Sequence, residues 1–167
     1  MTRRVPSLGY LVWHLSLKWR VAVERVLSPL GLTHAHYALL ASLYALSRDG
    51  RAPSQRELAD FSGLEAMYVS KLARGLERTG LLKRTDHPDD PRAFQLQLTR
   101  RGSDLVVQAA KIVSDLYEEL LTPVGGGHSK QAVSLMRTLE TLLEHARRFN
   151  RESTGGASSL QGTRRTS

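Results

Sequence analysis

The sequence holds no cysteine. That excludes disulfides, thiol nucleophiles, thiolate metal sites and cysteine-based redox sensing. No apolar run approaches the roughly 18 residues that a membrane-spanning helix requires, so no membrane partner is expected. Catalytic signatures are missing too. There is no Ser-His-Asp order with supporting glycine turns, no phosphate loop and no metal motif, so neither an enzyme nor a cofactor is expected. Acidic residues are in deficit, with 16 Asp and Glu against 24 Lys and Arg and a formal charge of +8. An excess of that sign points to an acidic partner. At the N-terminus Arg3 and Arg4 precede an apolar stretch, but His14, Ser16 and Lys18 interrupt it and no small-residue cleavage site follows. A signal peptide is therefore not expected, and the chain reads as cytoplasmic.

What is present is enough apolar residue, 41% of 167, to pack the core of one domain. Leu8, Leu11, Val12, Leu15, Trp19, Ala22, Val23, Val26 and Leu27 recur at helical spacing over 7–28. Trp13, Leu17 and Val21 lie off that stripe. A helix apolar on more than one side is covered from two directions, and in a chain this short a second subunit can supply the second. Thr33 caps a helix running to about Ser47. Ser54 and Glu57 form a capping box, in which each side chain takes the other residue's backbone N–H. The short helix they open ends at Ser62-Gly63. A further helix over 65–79 turns Val69, Leu72, Ala73 and Leu76 inward and stops at Gly80. Met67, Tyr68, Ser70, Lys71, Arg74 and Arg78 fall largely outside that inner face.

The pattern then changes. Residues 81–85 and the alternating Phe94 to Leu98 read as two strands of one hairpin, joined by the polar loop from Asp86 to Pro91. A long helix starts at Thr99. Pro123 and the glycines at 125–127 break it, and a last helix follows over 129–149. Residues 150–167 have little to bury and are expected to be disordered and basic.

Helix, short helix, helix, hairpin is the order of a winged helix-turn-helix. The fold expected is mainly α with a small β-hairpin wing, flanked by long N- and C-terminal dimerisation helices. A single domain spans 7–149, with the DNA-binding lobe at 33–102 and dimerisation helices at 7–30 and 103–149. From Lys71 to Arg84 the chain places Lys71, Arg74, Arg78, Lys83 and Arg84 against the single acid Glu77. On the outer face of the second helix of the motif, such donors can meet phosphates and base edges in a major groove. Ser54 and Arg56 can grip a phosphate at a helix N-terminus, although capping alone would also explain Ser54. Arg92 near the wing tip can reach the adjacent minor groove. The residues expected at DNA are thus Ser54, Arg56, Met67, Tyr68, Ser70, Lys71, Arg74, Arg84 and Arg92. The six histidines show no metal-ligand spacing, and His36 reads as a buried, hydrogen-bonded residue.

Four stretches, in order and suitably spaced, resemble the MarR (multiple antibiotic resistance regulator) family. They are Gly31 to Leu40, Ser54 to Ala59, Leu72 to Arg84, and Asp90 to Arg92 followed by Leu98 to Gly102. The resemblance covers roughly 7–149. It implies a homodimeric, sequence-specific regulator of transcription, a repressor on an inverted-repeat operator in double-stranded DNA. It also implies a small aromatic effector that releases the DNA, with Trp13, His14, Tyr37 and Tyr44 as candidate walls of its crevice, and it gives Asp90 the role of holding the wing arginine. The chain departs from the family where Tyr68 replaces a common Ser or Thr and His36 a common Gln. Two rivals remain at this point: an architectural or effector-independent DNA binder, and a winged-helix protein-interaction module.

Overall fold

The computed structural model describes residues 6–87, 90 and 93–157, with side chains described as far as residue 150. Six helices and one hairpin follow in the order α1 (Leu8–Leu27), α2 (His34–Leu46), α3 (Gln55–Ser62), α4 (Ala66–Arg78), β1 (Leu82–Asp86), β2 (Phe94–Leu98), α5 (Arg100–Leu120) and α6 (Lys130–Ala157). Short 3-10 turns at Ser28–Leu30 and Thr122–Val124 follow α1 and α5. The chain divides into two compact units, one through Leu116 and one from Tyr117 onward.

In the first unit α1, α2 and α3 each begin at a capping side chain, whereas α4, with Glu65 ahead of it, has none. The Ser7 hydroxyl accepts the Tyr10 N–H at 3.2 Å, and the Thr33 hydroxyl accepts that of His36 at 3.1 Å. The expected Ser54–Glu57 box is complete. Ser54 Oγ accepts the Glu57 N–H at 3.1 Å, and Glu57 Oε2 accepts the Ser54 N–H at 2.7 Å. Hydrogen bonding to the Glu57 carboxyl from the Ser54 backbone N–H, and second from the Ser54 side chain, holds that carboxyl below its ordinary pKa. The core is almost entirely leucine and valine. Leu39, Leu40 and Leu43 of α2 are fully buried, as are Leu58 of α3, Val69 of α4 and Leu96 of β2. Val23 and Leu27 of α1 join them.

β1 and β2 are antiparallel, with Leu82 opposite Leu98 and Asp86 opposite Phe94. The alternation of β2 holds only at its centre, where Leu96 is buried. Phe94 toward the wing tip is exposed and Leu98 is half-buried, because core lies only behind the middle of the strand. A third segment that the alternation pattern does not reveal joins this sheet. Ser54 pairs with Gln95, and the Leu96 N–H donates to the Pro53 carbonyl at 2.9 Å. Proline has no N–H to offer, but its carbonyl suffices for an edge pairing.

The exit of α4 is joined to the start of α5 by a dense knot. Gly80 turns the chain at φ +71°. The Thr99 hydroxyl donates toward the Gly80 and Leu81 carbonyls at 2.8 and 3.2 Å and accepts the Gly102 N–H at 3.0 Å. The Thr99 N–H donates to the Leu81 carbonyl at 3.1 Å, and Arg101 Nη1 donates to the Thr79 carbonyl at 3.3 Å. Gly102 is buried against Leu81 so closely that a Cβ there would overlap the Leu81 carbonyl oxygen and come within 2.9 Å of its carbon.

In the second unit the Gly125 and Gly126 turn has positive φ at both residues. Glu118 Oε2 accepts the Gly127 N–H at 2.9 Å, and the Ser129 hydroxyl caps α6 through the Ala132 N–H at 3.0 Å. One expectation is corrected here. The last helix does not stop at 149 before a disordered tail but continues to Ala157. Arg147, Arg148, Arg151 and Glu152 are good helix formers, and a helix already nucleated extends at little cost, one hydrogen bond for each residue fixed. Residues 158–167 of the expected tail lie outside the described residues.

The knot makes a contrast that can be measured. Gly102→Ala should destabilise the protein by about 3 kcal/mol, since only backbone movement relieves the overlap. Gly75→Ala, inside α4 with open space where its Cβ would stand, should stabilise it by about 0.5–1 kcal/mol. Urea midpoints of the two variants test this, and equal midpoints would remove the knot from the account.

Candidate nucleic-acid interface

α4 is anchored on one side and free on the other. Val69, Leu72, Ala73 and Leu76 are buried, and the residues between them face outward by the 3.6-residue period. Met67, Tyr68, Lys71, Arg74 and Arg78 are exposed on that outer side, and Ser70 is half-buried. The structure therefore brings five of the expected contact residues, Met67, Tyr68, Ser70, Lys71 and Arg74, onto one helix, with Arg78 beside them. The Gly63 turn, at φ +69° and closed by its N–H to the Ala59 carbonyl at 2.9 Å, separates α3 from α4 in the manner of a helix-turn-helix.

The other expected residues are placed differently. Arg56 is exposed on the first turn of α3. Ser54 is half-buried, and its hydroxyl already accepts the Glu57 N–H, so its placement is explained by capping. Asp90 is exposed, and its backbone carbonyl accepts the Ala93 N–H at 3.0 Å, shaping the wing turn. Arg92, expected in a minor groove, lies outside the described residues.

Arg84 makes contacts within the protein. Its Nε donates to Glu77 Oε2 at 2.7 Å, with the two side chains only 22% and 35% exposed. Its guanidinium lies 4.9 Å from the centre of the Phe94 ring. One arginine of β1 thus fastens α4 to both strands of the wing, by an ion pair on one side and a cation–π contact on the other. Nothing in a run of basic residues distinguishes this arginine from its neighbours. The spacing from Glu77 across the Gly80 turn is the one hint, and it becomes informative only once the hairpin is known to fold back along α4.

The four aromatic and imidazole residues expected around an effector are not gathered in one cavity. Trp13 and His14 are exposed on α1, with the His14 ring 4.1 Å from that of Tyr10. Tyr37 is half-buried in α2. Tyr44 borders a shallow depression with Arg48, Arg51 and Gln97. A concavity of about 930 Å³ opens elsewhere, between the start of α2, the end of α4 and the start of α5. Its wall includes Leu32, Leu76, Leu81 and Leu105, with His36, Arg78, Arg100 and Arg101 among its polar groups. His36 is half-buried rather than buried, and it completes the cap of α2, its Nδ1 accepting the Thr33 N–H at 3.5 Å. Burial lowers its pKa, a shift in favour of the neutral form that this acceptance needs.

A family model described as the MarR family matches residues 32–94, from the start of α2 to the start of β2. An uncharacterized HTH-type transcriptional regulator of Bacillus subtilis (strain 168), YdcH, is 30% identical over 139 residues, covering 83% of this chain and 91% of that protein. Among solved structures, a cysteine-to-serine variant of MarR from E. coli complexed with operator DNA superposes with a TM-score of 0.68 at 25% identity. That match covers 83% of this chain and 92% of the other. The S. aureus MepR–DNA complex superposes at 0.73 with 24% identity over 85% of this chain and 99% of the other.

The position of Arg84 predicts a variant that separates holding the wing from touching DNA. Arg84→Leu should lower stability by about 1 kcal/mol, Glu77→Gln should do the same, and the double variant should cost less than the two together. The salt dependence of DNA binding should stay unchanged in Arg84→Leu. A flattened salt slope would restore Arg84 to the phosphate-binding residues.

Proposed function

The chain belongs to the MarR family, and from that premise we propose that it is a homodimeric repressor of transcription, binding an inverted repeat in duplex DNA with α4 in the major groove. One observation carries the reading: the side of α4 opposite the core presents Lys71, Arg74 and Arg78 in successive turns. Cations so arranged can follow the phosphates bordering a groove while the buried face fixes the helix. The E. coli relative crystallised with operator DNA supports DNA as the partner.

Dimerisation accounts for apolar surface that a lone chain leaves in water. On α1, Leu8, Leu11, Trp13 and Leu15 are exposed, Trp13 at 62%, and on α6 Leu135, Leu139, Leu142 and Leu143 are exposed. Exposed apolar faces of this kind, on each helix taken by itself, mark association surfaces. A two-fold dimer would set two copies of α4 about one DNA turn apart.

An effector that releases the DNA fits the concavity beside His36 better than the scattered aromatic set. It joins an apolar wall to three arginines, which suits an aromatic carboxylate. It also touches the end of α4, so a ligand there can favour one setting of the reading helix only by its differential affinity for that setting.

Two measurements test these readings. Lys71→Glu with Arg74→Glu should weaken binding to a selected duplex on the order of 100-fold, with the salt slope falling by roughly one unit for each phosphate no longer neutralised. The dimer, followed by sedimentation, should persist. Unchanged DNA affinity would transfer the protein to the protein-interaction reading. Benzoate, used as a probe, should release bound duplex, and Leu105→Trp, which narrows the concavity, should abolish the response but not DNA binding. Release that survives Leu105→Trp would place the effector elsewhere.

A further inference from the structure

The reading helix is chemically divided along its length, and the division says which feature of the bases it reads. Its cations, Lys71, Arg74 and Arg78, begin in the second turn. The first turn carries none, and Glu65 stands just ahead of it. That turn instead presents Met67, at 87% the most exposed large apolar side chain of those described, with Tyr68 exposed beside it. Nothing in the fold requires a thioether in water there, since the buried residues of α4 begin at Val69. In helix-turn-helix proteins the N-terminal residues of the second helix are the ones that approach base edges. No Arg, Lys, Asn or Gln occupies this turn, so the bidentate hydrogen bonds that pick out guanine or adenine cannot be made from it. A carboxylate ahead of it repels phosphate, so attachment to the backbone is not what this end is built for. The base-edge feature that an unbranched apolar side chain can recognise is the thymine 5-methyl group in the major groove. The polarizable, flexible thioether adapts to such a surface.

We propose that Met67, supported by Tyr68, is a specificity-determining residue that selects thymine in each half-site through its 5-methyl group. This rests on α4 occupying the major groove, as proposed above. Lys71 and Arg74 then supply affinity that is indifferent to sequence, and the first turn supplies discrimination.

The test removes methyl groups without altering hydrogen bonding. The full-length protein selects duplexes from a random library, and each thymine of the enriched repeat is then replaced by deoxyuridine. One position in each half-site should weaken binding roughly 4-fold, and both together on the order of 15-fold, the loss expected for one buried methyl at each. Met67→Ala should bind the thymine duplex more weakly and no longer distinguish it from the deoxyuridine duplex. Met67→Leu should restore most of the discrimination. Because Met67 is exposed, neither variant should change the unfolding midpoint. A full deoxyuridine penalty persisting in Met67→Ala, or no penalty in the unaltered protein, would overturn the assignment while leaving DNA binding intact. Failure to enrich any duplex would overturn the major-groove reading itself, and this inference with it.

Discussion

The Leu81 carbonyl occupies the space that a side chain at residue 102 would need, and much of the first unit depends on that close approach. It brings the start of α5 against the exit of α4, where the Thr99 hydroxyl and N–H satisfy the carbonyls of Gly80 and Leu81 in the turn that follows the helix. Two consequences follow from one contact. The direction in which β1 leaves α4 is fixed, so the wing lies alongside the reading helix. And α5, which leaves the lobe, is joined rigidly to α4 rather than through a free linker. In the proposed dimer, a change in how two subunits pack would reach α4 through α5 as a rigid-body movement, since the connection between α4 and α5 has no slack.

Arg84 completes this frame from the other side. Gly80 and Thr99 set the root of the hairpin, and the arginine, between Glu77 and Phe94, sets its middle. The edge pairing of Pro53 and Ser54 with β2 ties in the segment ahead of α3. The wing is thus held by a turn, an ion pair, a ring and a single bridge to the segment ahead of α3. A two-stranded ribbon alone would be marginal in water. The apolar contribution comes from Leu82 and Leu96, both buried, and the polar ties determine orientation rather than supplying most of the stability.

Local features are legible in the sequence, and features made by distant residues are not. Ser54 and Glu57 are three residues apart, so their mutual capping can be read directly, as can the inner face of α4 and the glycine stops at Gly63 and Gly80. Thr99 bonds the Gly80 carbonyl across nineteen positions, and no periodicity announces such a partner. The charge run from Lys71 to Arg84 is legible as basic, but composition cannot say which cation turns inward. Trp13, His14, Tyr37 and Tyr44 carry suitable chemistry for an aromatic ligand, yet their helices point them to different surroundings, and the concavity is lined chiefly by aliphatic and arginine side chains. The end of α6 is hard to read for a different reason. The weak helix formers near Gly155 suggest an earlier stop than the charged residues before them allow.

The division of α4 into an apolar first turn and a cationic remainder has a consequence for how the proposed regulator finds its site. Phosphate contacts weaken as salt rises because counterions compete for the same charges. Burial of a methyl group against a thioether carries no such dependence, and salting-out ions strengthen it slightly. Affinity for arbitrary DNA should therefore decline with ionic strength while the preference among sequences is kept. A helix with arginines in its first turn would behave otherwise, since the same charges would serve attachment and reading together. In the proposed reading the two tasks fall to different turns of one helix. The knot at Gly102 and the Arg84 clasp would hold both turns in one fixed setting.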